Sequence, residues 1–87
     1  MIAANPKNPR ALVNYGYMSA KMGNIAKAKD SFESAIMVDP RNVDAHNGLG
    51  LIYMNSGQKD KAREEFNQSL SVDPNNAYAK QMLGGMK

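Results

Sequence analysis

The chain has 87 residues, a net charge of +3 and no cysteine. A chain of this length forms one small domain, and the lack of cysteine excludes a disulfide framework and a thiolate metal site. Its basic residues are scattered among acidic ones, and no apolar run reaches the roughly 18–20 residues of a membrane helix, so we expect neither nucleic-acid binding nor membrane insertion. The composition fits the cytoplasm and the bacterial periplasm equally well.

The first predicted helix begins at Pro9. Proline directly after Asn8 is typical of a helix start, because the first helical turn does not need the missing N–H. Apolar and small residues then follow the i, i+3, i+4, i+7 spacing of one helix face: Leu12, Tyr15, Gly16 and Ser19. Gly23 is typical of a helix end, so we expect the helix to stop just before it.

A second helix is predicted to follow at once, with Asn24 as its N-cap. Its apolar stripe consists of Ile25, Ala28, Phe32, Ala35 and Ile36. The pair Asp39-Pro40 ends it, because the residue before a proline is pushed out of helical geometry and proline cannot continue the hydrogen-bond ladder.

The same plan recurs 34 residues later, which divides the chain into units 9–42 and 43–76. Corresponding residues are Gly16 and Gly50, Gly23 and Gly57, Ala28 and Ala62, Phe32 and Phe66, and Pro40 and Pro74. A fifth helix is predicted over about Ala77 to Leu83, followed by Gly84-Gly85. A period of this length indicates stacked helical hairpins.

These residues resemble the tetratricopeptide repeat family, whose pattern is W-x2-L-G-x2-Y, then A-x3-F, then P. The pattern is matched by Leu12 to Ser19, Ala28, Phe32 and Pro40, and again by His46 to Tyr53, Ala62, Phe66 and Pro74. The resemblance implies an all-α fold, a right-handed superhelical α-solenoid with two full helix–turn–helix repeats plus a terminal helix.

The 34-residue register also assigns the two ends of the chain. It places Asn5-Pro6 under Asp39-Pro40, so residues 1–8 are interpreted as the remnant of a preceding repeat. Residues 77–87 are interpreted as a partial third repeat or a capping helix. Our hypothesis is that the chain was cut from a longer array, which would leave one face of the first helix uncovered.

No catalytic constellation is visible, so we expect a non-enzymatic chain without cofactor or metal. The single histidine, His46, is predicted to be a packing residue with a satisfied ring nitrogen. The acidic residues Asp60, Glu64 and Glu65 lie among basic ones on one predicted helix. We therefore expect a solvated face with weak ion pairs there.

In the family, the first helix of each repeat lines a concave inner face. Carried over, this inner face comprises Arg10, Val13, Tyr17, Ala20 and Lys21 from repeat one and Asp44, Asn47, Leu51, Met54 and Asn55 from repeat two. The predicted partner-binding residues are Arg10, Val13, Tyr17, Lys21, Asn47, Leu51, Met54 and Asn55. The alternative is that the apolar members simply pack against neighbouring helices.

We expect a protein–protein interaction module that binds a peptide or helix of a partner protein. One branch of the family clamps acidic C-terminal tails with a lysine and an asparagine, which would fall at Val13 and Tyr17. Neither residue suits that chemistry, so we expect apolar anchors on either an amphipathic helix or an extended peptide. The alternatives are a homo-oligomer formed through open repeat ends and an accessory segment of a larger enzyme or assembly factor.

Overall fold

The computed structural model describes residues 8–85, and within them the chain is all-α, as predicted. The helices are α1 (Pro9–Lys21), α2 (Ile25–Val38), α3 (Val43–Asn55), α4 (Lys59–Val72) and α5 (Ala77–Gly84). The last helix runs one residue past the predicted end at Leu83. The prediction that residues 1–8 are the remnant of a preceding repeat lies outside the described residues, except for Asn8.

Asparagine side chains start the odd-numbered helices. The Oδ1 atom of Asn8 accepts a hydrogen bond from the backbone N–H of Arg10 at 2.9 Å. Asn42 and Asn76 do the same for the backbone N–H groups of Ala45 and Ala79, at 2.8 and 2.9 Å. Each hydrogen bond satisfies one of the free backbone N–H groups of the first helical turn. The same kind of asparagine cap therefore stabilises the N-termini of α1, α3 and α5.

Glycines with positive φ close the hairpins. Gly23 has a φ of 84° and Gly57 a φ of 83°, a region that side chains disfavour. The backbone N–H of Asn24 then donates to the carbonyl of Ser19 at 2.8 Å, which closes α1 as a Schellman motif. Asn24 occupies the N-cap position of α2 with a ψ of 76°, but its side chain makes no capping hydrogen bond.

Phe32 joins the first hairpin to the second. Its ring is 1% exposed and lies against two glycines, Gly16 in α1 and Gly48 in α3. A Cβ atom at Gly48 would lie 2.5 Å from the ring. Phe66 repeats the arrangement against Gly50, and its ring meets the edge of Tyr78 in α5 with 6.1 Å between centroids. Gly16, Gly48 and Gly50 are therefore the places where a helix backbone approaches an aromatic ring.

His46 joins the α2–α3 turn to α4. It is 6% exposed, its Nδ1 lies 2.8 Å from Oε1 of Glu65, and its Nε2 lies 2.8 Å from the carbonyl oxygen of Pro40. The predicted packing role is confirmed, with both ring nitrogens partnered. The predicted solvated face holds for the exposed Asp60–Arg63 pair but is wrong for Glu65, which turns to the histidine.

The two oxygens around the ring raise the pKa of His46 above 6.5. The hydrogen bond to Glu65 is the largest cause, burial opposes it, and the Pro40 carbonyl and the charges of Glu65 and Asp39 add to the increase. The carbonyl oxygen of Pro40 can only accept a hydrogen bond, so Nε2 donates to it. The cationic imidazole donates from both nitrogens, so it can also donate from Nδ1 to Glu65 and fits this site.

Replacing Gly48 by alanine should destabilise the fold. The new methyl group would overlap the enclosed Phe32 ring, and we expect a net loss of about 1–3 kcal/mol in the free energy of unfolding despite alanine's better helix propensity. Gly84→Ala is the control, since a Cβ there meets nothing within 4 Å. Urea unfolding of both variants measures the difference, and equal stabilities would contradict the packing described for Phe32.

The His46 pKa predicts a pH dependence of stability. Because the folded pKa lies above the unfolded value, the stabilisation is complete below about pH 6.5 and is lost as pH rises through the folded pKa. Glu65→Gln should reduce the stabilisation and flatten this slope, whereas Glu64→Gln, on the exposed side of α4, should leave the slope intact. Urea unfolding across a pH series tests this. A wild-type slope in Glu65→Gln would exclude the pair as its source.

Candidate partner-binding surface

The predicted inner-face residues lie on α1 and α3, which contact each other. The structure exposes Arg10, Lys21, Asp44 and Asn55, leaves Tyr17, Ala20, Leu51 and Met54 part-buried, and buries Val13 and Asn47. The eight predicted partner-binding residues therefore differ widely in solvent exposure.

Val13 and Asn47 are both buried. Val13 is 5% exposed and belongs to the hydrophobic core. Asn47 is 4% exposed, and its Nδ2 donates to Oδ1 of Asn76 at 3.2 Å, the same atom that caps α5 by accepting from Ala79. Sequence spacing did not reveal this burial, because it depends on how elements distant in the sequence pack together, such as α1 on α3 and the N-cap residue of α5 on Asn47.

Tyr17 ties α1 to both α2 and α3. Its ring meets the edge of Phe32 with 5.0 Å between centroids and an interplanar angle of 74°, a favourable edge-to-face arrangement. Its hydroxyl donates to the backbone carbonyl of Asp44 at 3.3 Å. Burial raises the pKa of Tyr17 to about 12, with smaller contributions from Tyr78 and Asp44, so the hydroxyl stays protonated at neutral pH.

Leu51 and Met54 supply the remaining apolar surface of the inner face. They are three residues apart on α3 and so lie on one side of the helix. Both are part-buried, and Met54 packs against the core. The exposed cations Arg10 and Lys21 stand in the first and last turns of α1, about 16 Å apart along the helix axis.

The inner face combines apolar side chains with polar and charged ones. Within residues 8–85 no group of three histidine, cysteine or carboxylate side chains is placed to hold a metal ion. No helix among the described residues combines the length and apolar character needed to cross a membrane. What the face offers is apolar contact at its centre and hydrogen-bonding or charged groups at its ends.

A second apolar surface lies on the other side of α1. It is a groove of about 550 Å³, here called the α1 groove, lined by Ala11, Asn14, Tyr15, Met18, Ser19, Met22, Asn24 and Lys27. Met18 is 59% exposed and Met22 80%. Tyr15, which the spacing placed on one face of α1 with Leu12, Gly16 and Ser19, is 36% exposed and lines this groove.

Comparison with known proteins agrees with the repeat architecture. A sequence model of the tetratricopeptide repeat family matches residues 19–84, most of the chain. A search of curated proteins found no match. The matched region spans the end of α1 through α5 and includes both enclosed phenylalanines and two of the glycines that they pack against, Gly48 and Gly50. The chain therefore belongs to the tetratricopeptide repeat family.

Proposed function

We propose that the chain is a non-catalytic interaction module that binds a segment of a partner protein on the inner face. Tetratricopeptide repeats generally serve as protein–protein interaction modules, and stacked repeats form extended binding surfaces. The observation that carries the proposal is the part-exposed pair Leu51 and Met54 on one side of α3, because adjacent apolar side chains with exposed surface gain free energy when a partner covers them.

The chemistry of the inner face defines the partner segment. An apolar side chain of the partner would pack on Leu51 and on Met54, whose flexible thioether adapts to varied shapes. Arg10 and Lys21 would attract acidic side chains toward the two ends of α1. The distance of about 16 Å along α1 suits about five residues of extended peptide or eleven residues of helix, so both forms of partner remain in the proposal.

Tyr17 contributes mainly to the packing of α1 against α2 and α3. Because its ring packs on Phe32, we expect Tyr17→Ala to cost roughly 2–4 kcal/mol of unfolding free energy, and Tyr17→Phe only about 0.5–1 kcal/mol for the lost hydroxyl contact. Tyr15→Ala, on the more exposed neighbouring tyrosine, should cost clearly less than Tyr17→Ala. Thermal and urea unfolding check this order. Equal losses at both tyrosines would show that Tyr17 does not have the packing role.

Leu51 is the residue whose replacement should separate binding from folding. Peptides selected from a random library against the wild-type chain should bind Leu51→Glu at least about tenfold more weakly, because the charge would have to be buried beneath the ligand. Isothermal titration calorimetry measures the affinity, and circular dichroism verifies the fold. Leu51→Ala serves as a milder variant if the glutamate destabilises α3.

Met37→Glu is the matched control for this experiment. Met37 is an 84% exposed methionine on α2, outside the inner face, so its replacement should leave peptide affinity unchanged. If the selected peptides bind Leu51→Glu as tightly as wild type, or lose affinity equally with Met37→Glu, the inner face is not the binding site.

A further inference from the structure

We propose that His46, Glu65 and Pro40 form a pH-dependent latch between the two repeats, closed when the imidazole is cationic and open when it is neutral, and that this latch regulates the inner face. The His46 ring lies on α3 and is 6% exposed. Its Nε2 lies 2.8 Å from the carbonyl oxygen of Pro40, in the turn that closes repeat one, and its Nδ1 lies 2.8 Å from Oε1 of Glu65 on α4. One side chain therefore connects the end of repeat one with the second helix of repeat two.

Both partners of the ring accept hydrogen bonds, and neither can donate one. A backbone carbonyl and an ionised carboxylate have no proton to offer. The cationic imidazole donates from both nitrogens and satisfies both contacts, whereas the neutral imidazole has one N–H only. Whichever nitrogen loses its proton, one of the two 2.8 Å contacts becomes a pair of acceptors that repel each other. The closed arrangement is therefore specific for the protonated ring.

The contact with Glu65 is the one that opens when the ring is neutral. The Pro40 carbonyl is part of a turn in which the backbone N–H of Asn42 donates to the carbonyl of Asp39 at 3.0 Å, so it has little freedom to move. The Glu65 side chain is 21% exposed, so it can rotate into water and regain solvation. The neutral ring then keeps its N–H on Nε2, toward Pro40, and α4 loses its bond to the ring.

The charges around the ring favour the closed state at low pH. Among the described residues, the carboxylates of Glu65 on α4 and Asp39 at the end of α2 both raise the pKa of His46, Glu65 mainly through its hydrogen bond. Helix α1, which also packs on α3, brings the Tyr17 hydroxyl to the backbone carbonyl of Asp44, and this hydroxyl stays protonated because its pKa is about 12. The latch is therefore closed below about pH 6.5 and opens as the pH rises through the folded pKa of His46.

Repeat one packs the same two positions without a charged pair. Leu12 and Ser31 stand 34 residues before His46 and Glu65. They are 5% and 7% exposed, so an apolar and a small polar side chain fill these positions in the first hairpin. Burying an ion pair costs desolvation that an apolar residue avoids. The charged pair is therefore explained better by a role at the junction between the repeats than by packing within a hairpin.

Opening the latch changes how the two hairpins are held relative to each other. Phe32 stays packed against Gly16 and Gly48 at any pH, because this contact involves no titratable group, and it serves as the pivot. The inner face is built from α1 of one hairpin and α3 of the other, so a change of angle moves Leu51 relative to the residues of α1. The consequence for partner affinity rests on the inner-face binding proposed above.

Residual dipolar couplings of the intact, isotope-labelled chain measure the angle between the α1–α2 and α3–α4 hairpins. From about pH 5.5 to 8.5 we expect this angle to follow a one-proton titration curve whose midpoint lies above about pH 6.5. Glu65→Gln should keep the latch closed throughout, because an amide can accept from the cationic ring and donate to the neutral one. Glu64→Gln, on the exposed side of α4, is the matched control and should keep the wild-type curve.

A double variant, His46→Leu with Glu65→Ser, installs the repeat-one pair in repeat two. Its hairpin angle should not depend on pH, and circular dichroism verifies that each variant is folded before its angle is measured. A wild-type angle that stays constant across the pH range would show that the pair is only a static contact and would overturn the proposal. A wild-type curve in Glu65→Gln or in the double variant would overturn it as well.

Peptide affinity tests the regulation of the inner face. A histidine-free, N-acetylated peptide, selected against the closed chain at about pH 6, should bind wild type at least about threefold more weakly at about pH 8.5 and Glu65→Gln equally at both. A constant wild-type affinity, for a peptide that Leu51→Glu still rejects, would overturn the regulation and leave the proposed binding site standing. If no selected peptide depends on Leu51, the proposed binding site fails, and the hairpin angle alone decides whether the latch exists.

Discussion

The fold depends on one kind of contact, an aromatic ring packed on helix backbone that carries no side chain. Phe32 lies against Gly16 and Gly48, and Phe66 against Gly50. Each ring sets how closely the helices on either side approach, because a Cβ at any of these glycines would overlap it. Since Phe32 touches α1 and α3 at once, the spacing within the first hairpin and the spacing to the second hairpin are set by the same side chain.

Local signals explain why the helices could be predicted so well. Prolines, positive-φ glycines and asparagine caps act within a few residues, and the 34-residue repeat gives each of them twice or three times. Gly48 escaped the sequence analysis because its equivalent in repeat one is Asn14, so the repeat comparison gave no signal. Its role appears only when α2 is placed against α3.

The exposure of the candidate site residues could not be predicted from the sequence. The family resemblance put the inner-face residues on α1 and α3, yet it could not distinguish Leu51 from the buried Val13 and Asn47. Asn47 is paired with a residue 29 positions away and His46 with one 19 positions away. Such contacts are set by how whole helices stack. A repeat pattern read from one chain describes each hairpin better than it describes the polar residues at the junctions between them.

The buried histidine also makes the junction between the repeats observable. His46 is the only histidine in the chain, and its ring contacts the α2–α3 turn through Pro40 and α4 through Glu65. Its imidazole resonances are therefore an intrinsic, label-free spectroscopic reporter. Any ligand that changes the angle between the two hairpins alters the surroundings of one ring, so inter-repeat movement can be followed in the unmodified protein without an attached probe.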